Sequence, residues 1–309
     1  MNKKSQVVFI VVFVFLIGFS QAQEKVSDFP VLKGSYLGQK LPGDEPIVFA
    51  LGVVSTNDHI EMGCTCSPDG REIYFARSET SDISSNFAIW VVREKDGKWN
   101  KPEVASFSGI YRDFAPFITP DGKYMLFYRM SSKEAEAREG TWIVERNRDK
   151  WGKPRFFVDA YCVTTADFQT FYFTTEHREA TSRDIAMMVF SNGVFSKPQD
   201  LKGDINSVEF DAHECISADE SFIIYDSTRP GGFDQTDIYV SIRKEDGLWS
   251  KGFNLGEKIN KGHHHIPSLS ADGKYIFFSS DGDIYWVDAK IIEELKINVL
   301  LDEELFVSP

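Results

Sequence analysis

Ser67-Pro68-Asp69-Gly70-Arg71-Glu72-Ile73-Tyr74-Phe75 is a tight turn feeding a strand, and variants of it follow four more times. They begin at Thr119 (Thr-Pro-Asp-Gly-Lys-Tyr-Met-Leu-Phe), Thr165 (Thr-Ala-Asp-Phe-Gln-Thr-Phe-Tyr-Phe), Ser217 (Ser-Ala-Asp-Glu-Ser-Phe-Ile-Ile-Tyr) and Ser270 (Ser-Ala-Asp-Gly-Lys-Tyr-Ile-Phe-Phe). The steps between them are 52, 46, 52 and 53 residues. A period of this size means one supersecondary unit copied several times.

Each unit reads as four strands. One strand enters the turn, where Asp supplies a local hydrogen bond and Gly a positive φ. A second, rich in aromatic and β-branched residues, leaves it at once: Glu72 to Ala76, Tyr124 to Tyr128, Thr170 to Thr174, Phe222 to Tyr225 and Tyr275 to Ser279. A third follows a polar loop, as in Ala88-Ile89-Trp90-Val91-Val92 and Asp237-Ile238-Tyr239-Val240-Ser241. A second signature then recurs: Trp99-Asn100-Lys101-Pro102, Trp151-Gly152-Lys153-Pro154, Phe195-Ser196-Lys197-Pro198 and Trp249-Ser250-Lys251-Gly252. There the aromatic can cover a sheet edge, and Pro, which cannot donate to a ladder, suits the entry to an outer strand.

Four antiparallel strands per unit and five units predict an all-β, five-bladed β-propeller. The fifth unit lacks the aromatic-Lys-Pro element and runs instead into a helical-looking stretch from Ala289 to Leu295. Its missing outer strand is available at the other end, in Pro46 to Val54, so the ring closes by an N-terminal strand pairing with the last blade and no sheet edge is left open.

The phrase resembles the WD40-like propeller repeats of the TolB type, found in exported bacterial proteins. The resemblance covers residues 46 to 288, with the phrase intact in the first two repeats, one position off in the fifth, and reduced to its Asp in the third and fourth. It implies a propeller, a cell-envelope setting and a protein-binding role, and carries no catalytic motif. The Asp-box of sialidases (Ser-x-Asp-x-Gly-x-Thr-Trp) is a different phrase and does not occur.

The ends of the chain fit export. Lys3 and Lys4 precede an apolar run from Val7 to Phe19, and Ser20-Gln21-Ala22 offers a cleavage site, so residues 1–22 read as a signal peptide. The run is shorter than the roughly 20 residues a membrane-spanning helix needs. Residues 23–45 form a lead, 46–297 the propeller and 298–309 a tail. Loss of the two lysines takes the formal charge from −13 to −15, which repels phosphate backbones and argues against nucleic acid. A periplasmic or extracellular monomer is expected.

Four cysteines are too few for a disulfide scaffold. Cys64 and Cys66 fall two apart on one strand and so on one face. Buried free thiols, one or two disulfides, or a metal site all remain open for them, for Cys162 and for Cys215, though paired C-x-x-C zinc spacing is missing.

Six residues before each phrase stand Glu61, Asp113, Asp159, Asp211 and His264, at the start of the innermost strand, with His59, Arg112, His213, Glu214, His263 and His265 close by. In a propeller these strands line the central channel, so the ring should gather at its mouth. Four carboxylates there repel each other unless they share protons, bind a hard cation such as Ca²⁺, or pair with Arg112 and the histidines. They could instead cap backbone N–H groups of a neighbouring loop. Two of them could serve as the acid and base of a glycoside hydrolase, an analogy of fold only. No Gly-x-Ser-x-Gly, His-Glu-x-x-His, phosphate-binding or dinucleotide fingerprint occurs. The reading favoured is a binding propeller that takes an envelope protein or a saccharide at the channel mouth, with a glycan hydrolase as the alternative.

Overall fold

The computed structural model describes residues 29–175 and 183–297; the expected signal peptide and the 298–309 tail lie outside them. Five antiparallel sheets stand in chain order, each beginning with the strand that enters the phrase turn. Blade 1 runs Glu61–Cys66, Glu72–Ser78 and Phe87–Lys95, with two short outer pieces pairing the third strand. Blade 2 starts at Arg112–Ile118, blade 3 at Tyr161–Thr164, blade 4 at Asp211–Ile216 and blade 5 at His264–Leu269.

Ring closure follows the expected route. Ile47–Val48 pairs antiparallel with Asp283–Asp288, Ile47 opposite Trp286 and Val48 opposite Tyr285. The Phe49 N–H continues the ladder to the Ile284 carbonyl. The described part of the lead is stitched to the same seam: the Tyr36 ring packs on Tyr275 and Trp286, and Leu37 is buried. Residues 290–297 are helical, as the sequence suggests. No helix among the described residues is long and apolar enough to cross a membrane.

The core consists of apolar seams between blades. Tyr74, Val91 and Ala105 of blade 1 meet Met125 and Phe127 of blade 2, while Tyr172 and Ile185 of blade 3 meet Ile223 and Tyr225 of blade 4. The aromatic of the second signature does more than cover an edge, because its strand faces the preceding blade. Trp151 of blade 2 lies edge-on to Tyr74 of blade 1 and donates its Nε1–H to that hydroxyl at 2.8 Å. Trp249 of blade 4 takes the same position against Tyr172 of blade 3. A buried indole gains area and one directed hydrogen bond, which fixes blade against blade.

Four of the five turns are wired alike; in blade 3 the Thr165 hydroxyl donates instead to the Thr170 carbonyl. The Ser67 hydroxyl donates to Asp69 at 2.6 Å and accepts the Glu72 N–H at 2.9 Å, while Asp69 also accepts the Arg71 N–H. The same set recurs at Thr119–Asp121, Ser217–Asp219 and Ser270–Asp272. Burial opposes the charge on these aspartates, but the hydrogen bonds outweigh it and hold all four carboxyls below their ordinary values.

Candidate functional site

Every innermost strand carries one bulge, where its register against the second strand shifts by a residue. At the bulge stands a residue of positive φ: Gly63, Ala115, Cys162, His213 and Ile266. These five surround the axis, where Gly63 packs so closely that an added Cβ would lie 3.3 Å from Ile266 and 3.4 Å from Ala115. The cavity left between them is about 30 Å³, enough for a water molecule and too small for a ligand. The channel is plugged.

The bulge gives a structural origin from which to place the ring. Two residues before it stand Glu61, Asp113, Ala160, Asp211 and His264. Asp159 is therefore not the equivalent residue. In blade 3 the bulge precedes the phrase by three residues instead of four, so counting back from Thr165 overshoots by one. Asp159 is exposed, and the Ala160 carbonyl accepts the Thr141 hydroxyl at 2.7 Å.

Glu61, Asp113 and Asp211 are all 0 % exposed, and none of them lines the axial cavity. Each is held by an arginine of its own blade. Arg77 Nε donates to Glu61 at 2.8 Å; Arg129 grips Asp113 with Nε and Nη2 at 2.7 and 2.9 Å; Arg229 Nη2 donates to Asp211. A loop hydroxyl completes each carboxylate: Thr56, Ser108 and Ser207, with the Thr56 and Ser207 N–H groups donating as well. The arginines in turn donate to loop carbonyls at Val53 and Val54, at Phe107, and at Ile205. Each clasp ties the loop entering a blade to its second strand or, at Arg229, to the residues just past that strand.

Burial pushes the Glu61 and Asp113 carboxyls above their ordinary values, against the pull of Arg77 and Arg129. The mutual repulsion expected of a carboxylate ring does not arise, since Glu61, Asp113 and Asp211 each have a private cation and Asp159 faces solvent. Arg112 and the histidines, the cations expected from the sequence, are not the partners; the three arginines are. Arg77 and Arg129 each fall 16 residues after their acid, ten after the start of the phrase, which is a signal the sequence carries. Arg229 hides it by standing two residues later. Ser227 holds the corresponding place and accepts the Arg229 N–H and Nε.

The other expected ring members serve elsewhere. Arg112 donates to the Ile83 carbonyl and lies over Phe87. His213 Nδ1 faces Asp226 at 2.7 Å and its Nε2 the Tyr161 hydroxyl at 3.0 Å, a relay bridging blades 4 and 3. His264 is buried edge-on to Phe278, with no partner for either ring nitrogen. His263 and His265 share the opposite face, rings 5.2 Å apart. Among the described residues no group of three or more His, Cys, Asp or Glu side chains could hold a metal ion.

The open concavity lies at the other end of the same strands, roughly 20 Å away for six residues of 3.3 Å each. It is a cavity of about 890 Å³ on the face that carries the phrase turns. Pro68, Pro120, Ala218 and Ala271, the second residues of four turns, stand around it, with Leu41 and Pro42 of the lead and Ile292 of the helical segment. Its floor includes Phe117, Ile216 and Leu269. The Thr119, Ser217 and Ser270 hydroxyls of its lining donate to the turn aspartates, Ser268 donates to the Cys64 carbonyl, and Thr65 accepts the Ile118 N–H. Lys274, Lys290 and Lys296 pair with Asp272, Asp288 and Glu293. The lining is therefore apolar in effect, with charge confined to the rim.

No protein-family model and no curated protein matches the chain. Solved structures do match. TolB from Acinetobacter baumannii is 20% identical over 74% of this chain and 54% of its own, with a TM-score of 0.47; this chain thus spans about half of that one. BT0996, solved as an RGII complex, gives a TM-score of 0.52 at 9% identity, over 80% of this chain and 91% of its own. The gluconolactonase XC5397 from Xanthomonas campestris is 11% identical over 84% and 99%, at 0.46. At these identities the likeness is one of fold.

Proposed function

We propose that this chain is a non-catalytic binding propeller of the bacterial cell envelope, which receives an apolar segment of a partner protein in the cavity on its turn face. The observation that carries this reading is the division of labour between the two ends of the strands. At one end the acids are consumed by arginine clasps; at the other lies a cavity of about 890 Å³, within the size range of ligand sites. A glycoside hydrolase needs a protonated and an ionised carboxyl facing one sugar. Glu61, Asp113 and Asp211 each face an arginine and a loop of their own blade instead. A saccharide would want free hydroxyl and amide partners on the walls, and here the Thr119, Ser217, Ser268 and Ser270 hydroxyls are committed. The leader-like first 22 residues support the envelope setting.

The test is selection of a random peptide library on the immobilised protein, run beside an Ala271→Arg variant that fills the cavity rim and a panel of envelope and plant polysaccharides. Enriched apolar peptides that lose binding to Ala271→Arg are expected. Peptides that bind both forms equally would move the site elsewhere. Release of reducing ends from any polysaccharide, abolished by Asp113→Asn in a folded protein, would make the chain an enzyme.

A further inference from the structure

Cys64, Cys66, Cys162 and Cys215 are free and buried, and two of them are neighbours. Cys64 and Cys66 lie two apart on Glu61–Cys66, past the bulge, opposite Phe75 and Ile73 in regular antiparallel register. Their side chains therefore leave the same face of the strand, and both belong to the same apolar cluster. Strand geometry sets their Cβ atoms about 6.6 Å apart, twice the 3.3 Å rise. A disulfide needs about 3.8 Å, so the strand forbids this bond without breaking its own ladder.

That spacing suits a different occupant. A two-coordinate soft cation between two thiolates spans about 4.5 Å, from two metal–sulfur bonds of about 2.3 Å. This is a distance that side chains from Cβ atoms about 6.6 Å apart reach by rotation about χ1 alone. Thiolate pairs select soft ions, copper(I) before the harder divalent ions. An entry path exists: Cys66 borders the cavity on the turn face, while Cys64 borders the axial plug behind it.

We infer that Cys64 and Cys66 form a two-coordinate site for a soft monovalent cation of the copper(I) class, loaded through the turn-face cavity. Binding replaces two S–H protons by one cation; two protons leave to water, no electron is transferred, and the site carries one negative charge next to the open cavity. The site does not depend on what the cavity itself receives. Cys162 and Cys215 reach the axis from blades 3 and 4 and take no part.

The experiment is an anaerobic titration of the protein with copper(I) held by a chromophoric chelator, followed by alkylation and mass analysis. One equivalent should transfer from the chelator. Cys64 and Cys66 should be protected from iodoacetamide at least tenfold relative to the same residues in the metal-free protein, with Cys162 and Cys215 unchanged. Transfer should vanish in Cys66→Ser and persist in Cys215→Ser. The alkylation readout needs no variant, so a Cys66→Ser protein that fails to fold leaves the test intact. Absence of transfer, protection of Cys215 in place of Cys64, or transfer surviving in Cys66→Ser would overturn the assignment.

Discussion

Blades 2 and 3 are neighbours built on one phrase, and they treat the same position in opposite ways. In blade 2, Asp113 is sealed off from solvent, gripped through two bonds by Arg129 and completed by Ser108. Arg129 is itself stacked among Tyr111, Phe127 and Trp142. In blade 3 the place belongs to Ala160, whose only polar duty is a backbone carbonyl, and the carboxylate of Asp159 faces water. One residue removed between bulge and turn is enough to make this change, because a single-residue slip moves a strand's side chains to the other face. Four of the five turns share their chemistry; the count of four or three decides whether the residue six before the phrase falls on the clasp position.

The largest effect that can break this comparison is removal of an acid. Asp113→Ala leaves Arg129 buried and unpaired, a loss of about 3–5 kcal/mol, whereas Asp159→Ala should stay within about 0.5 kcal/mol. Urea unfolding of the two variants checks it directly, and equal losses would show that the clasp is not what distinguishes the blades. The comparison sharpens with Asp113→Leu combined with Arg129→Met. Replacing both partners by apolar groups should recover most of the loss, and a pair that stays as unstable as Asp113→Ala would point instead to the loop carbonyl and hydroxyl bonds of the clasp.

The contrast also shows what a single sequence makes legible. The propeller, its closure through Ile47–Val48 and the helical 290–297 stretch follow from period, turn chemistry and strand composition, all of which are local. The ring of acids was legible as a pattern, but its meaning was not. Arg77 pairs with Glu61 across 16 residues, and nothing in a strand's composition says that an arginine at its end points inward. Asp159 misled because sequence counting starts from the turn, whereas the structure counts from the bulge, and a bulge at a non-glycine residue such as Cys162 or His213 leaves no mark. The turn-face cavity is assembled from four turns, the lead and the helix, contacts of high sequence separation that periodicity does not reveal.

Blade 5 offers a third version of the position, with His264 in place of the acid and no arginine opposite; its partner in register is Ser280. Burial holds the neighbouring His265 down to about 4, partly offset by Asp226 and reinforced by His213, His263 and His264, and it lowers His264 as well. The neutral rings are the forms that fit. Their contribution is whole above the unfolded value of about 6.5 and is lost as pH falls toward 4, roughly 2–3 kcal/mol for His265. Glu61 and Asp113, raised by burial, run the other way and gain on acidification. Stability measured between pH 7 and 4 should therefore fall more steeply in the wild type than in His265→Gln. Parallel profiles would show that His265 does not carry the acid sensitivity.

The smallest effect lies in the turns, the part of the repeat that looked most uniform. Three blades fill the left-handed turn position with glycine, at φ 67–70° in Gly70, Gly122 and Gly273; blade 4 uses Glu220 at 55° and blade 3 uses Phe168 at 60°. A non-glycine residue there costs about 1 kcal/mol. Glu220 offsets little of it, since its pairing with Arg243 at 2.9 Å is half in solvent and worth a few tenths of a kcal/mol. Phe168 offsets it fully, stacked on Tyr124 at 4.5 Å and edge-on to Phe171. Glu220→Gly should thus raise stability by up to about 0.5 kcal/mol, after the extra freedom glycine gives the unfolded chain. Phe168→Gly should lower it by about 1–2 kcal/mol through lost burial. The sign of the two changes, read by thermal unfolding, decides whether a broken phrase marks a decayed turn or one recruited into the seam between blades. A gain at both positions would make blade 3's turn as expendable as blade 4's, and would leave the missing residue between its bulge and its turn to set blade 3 apart.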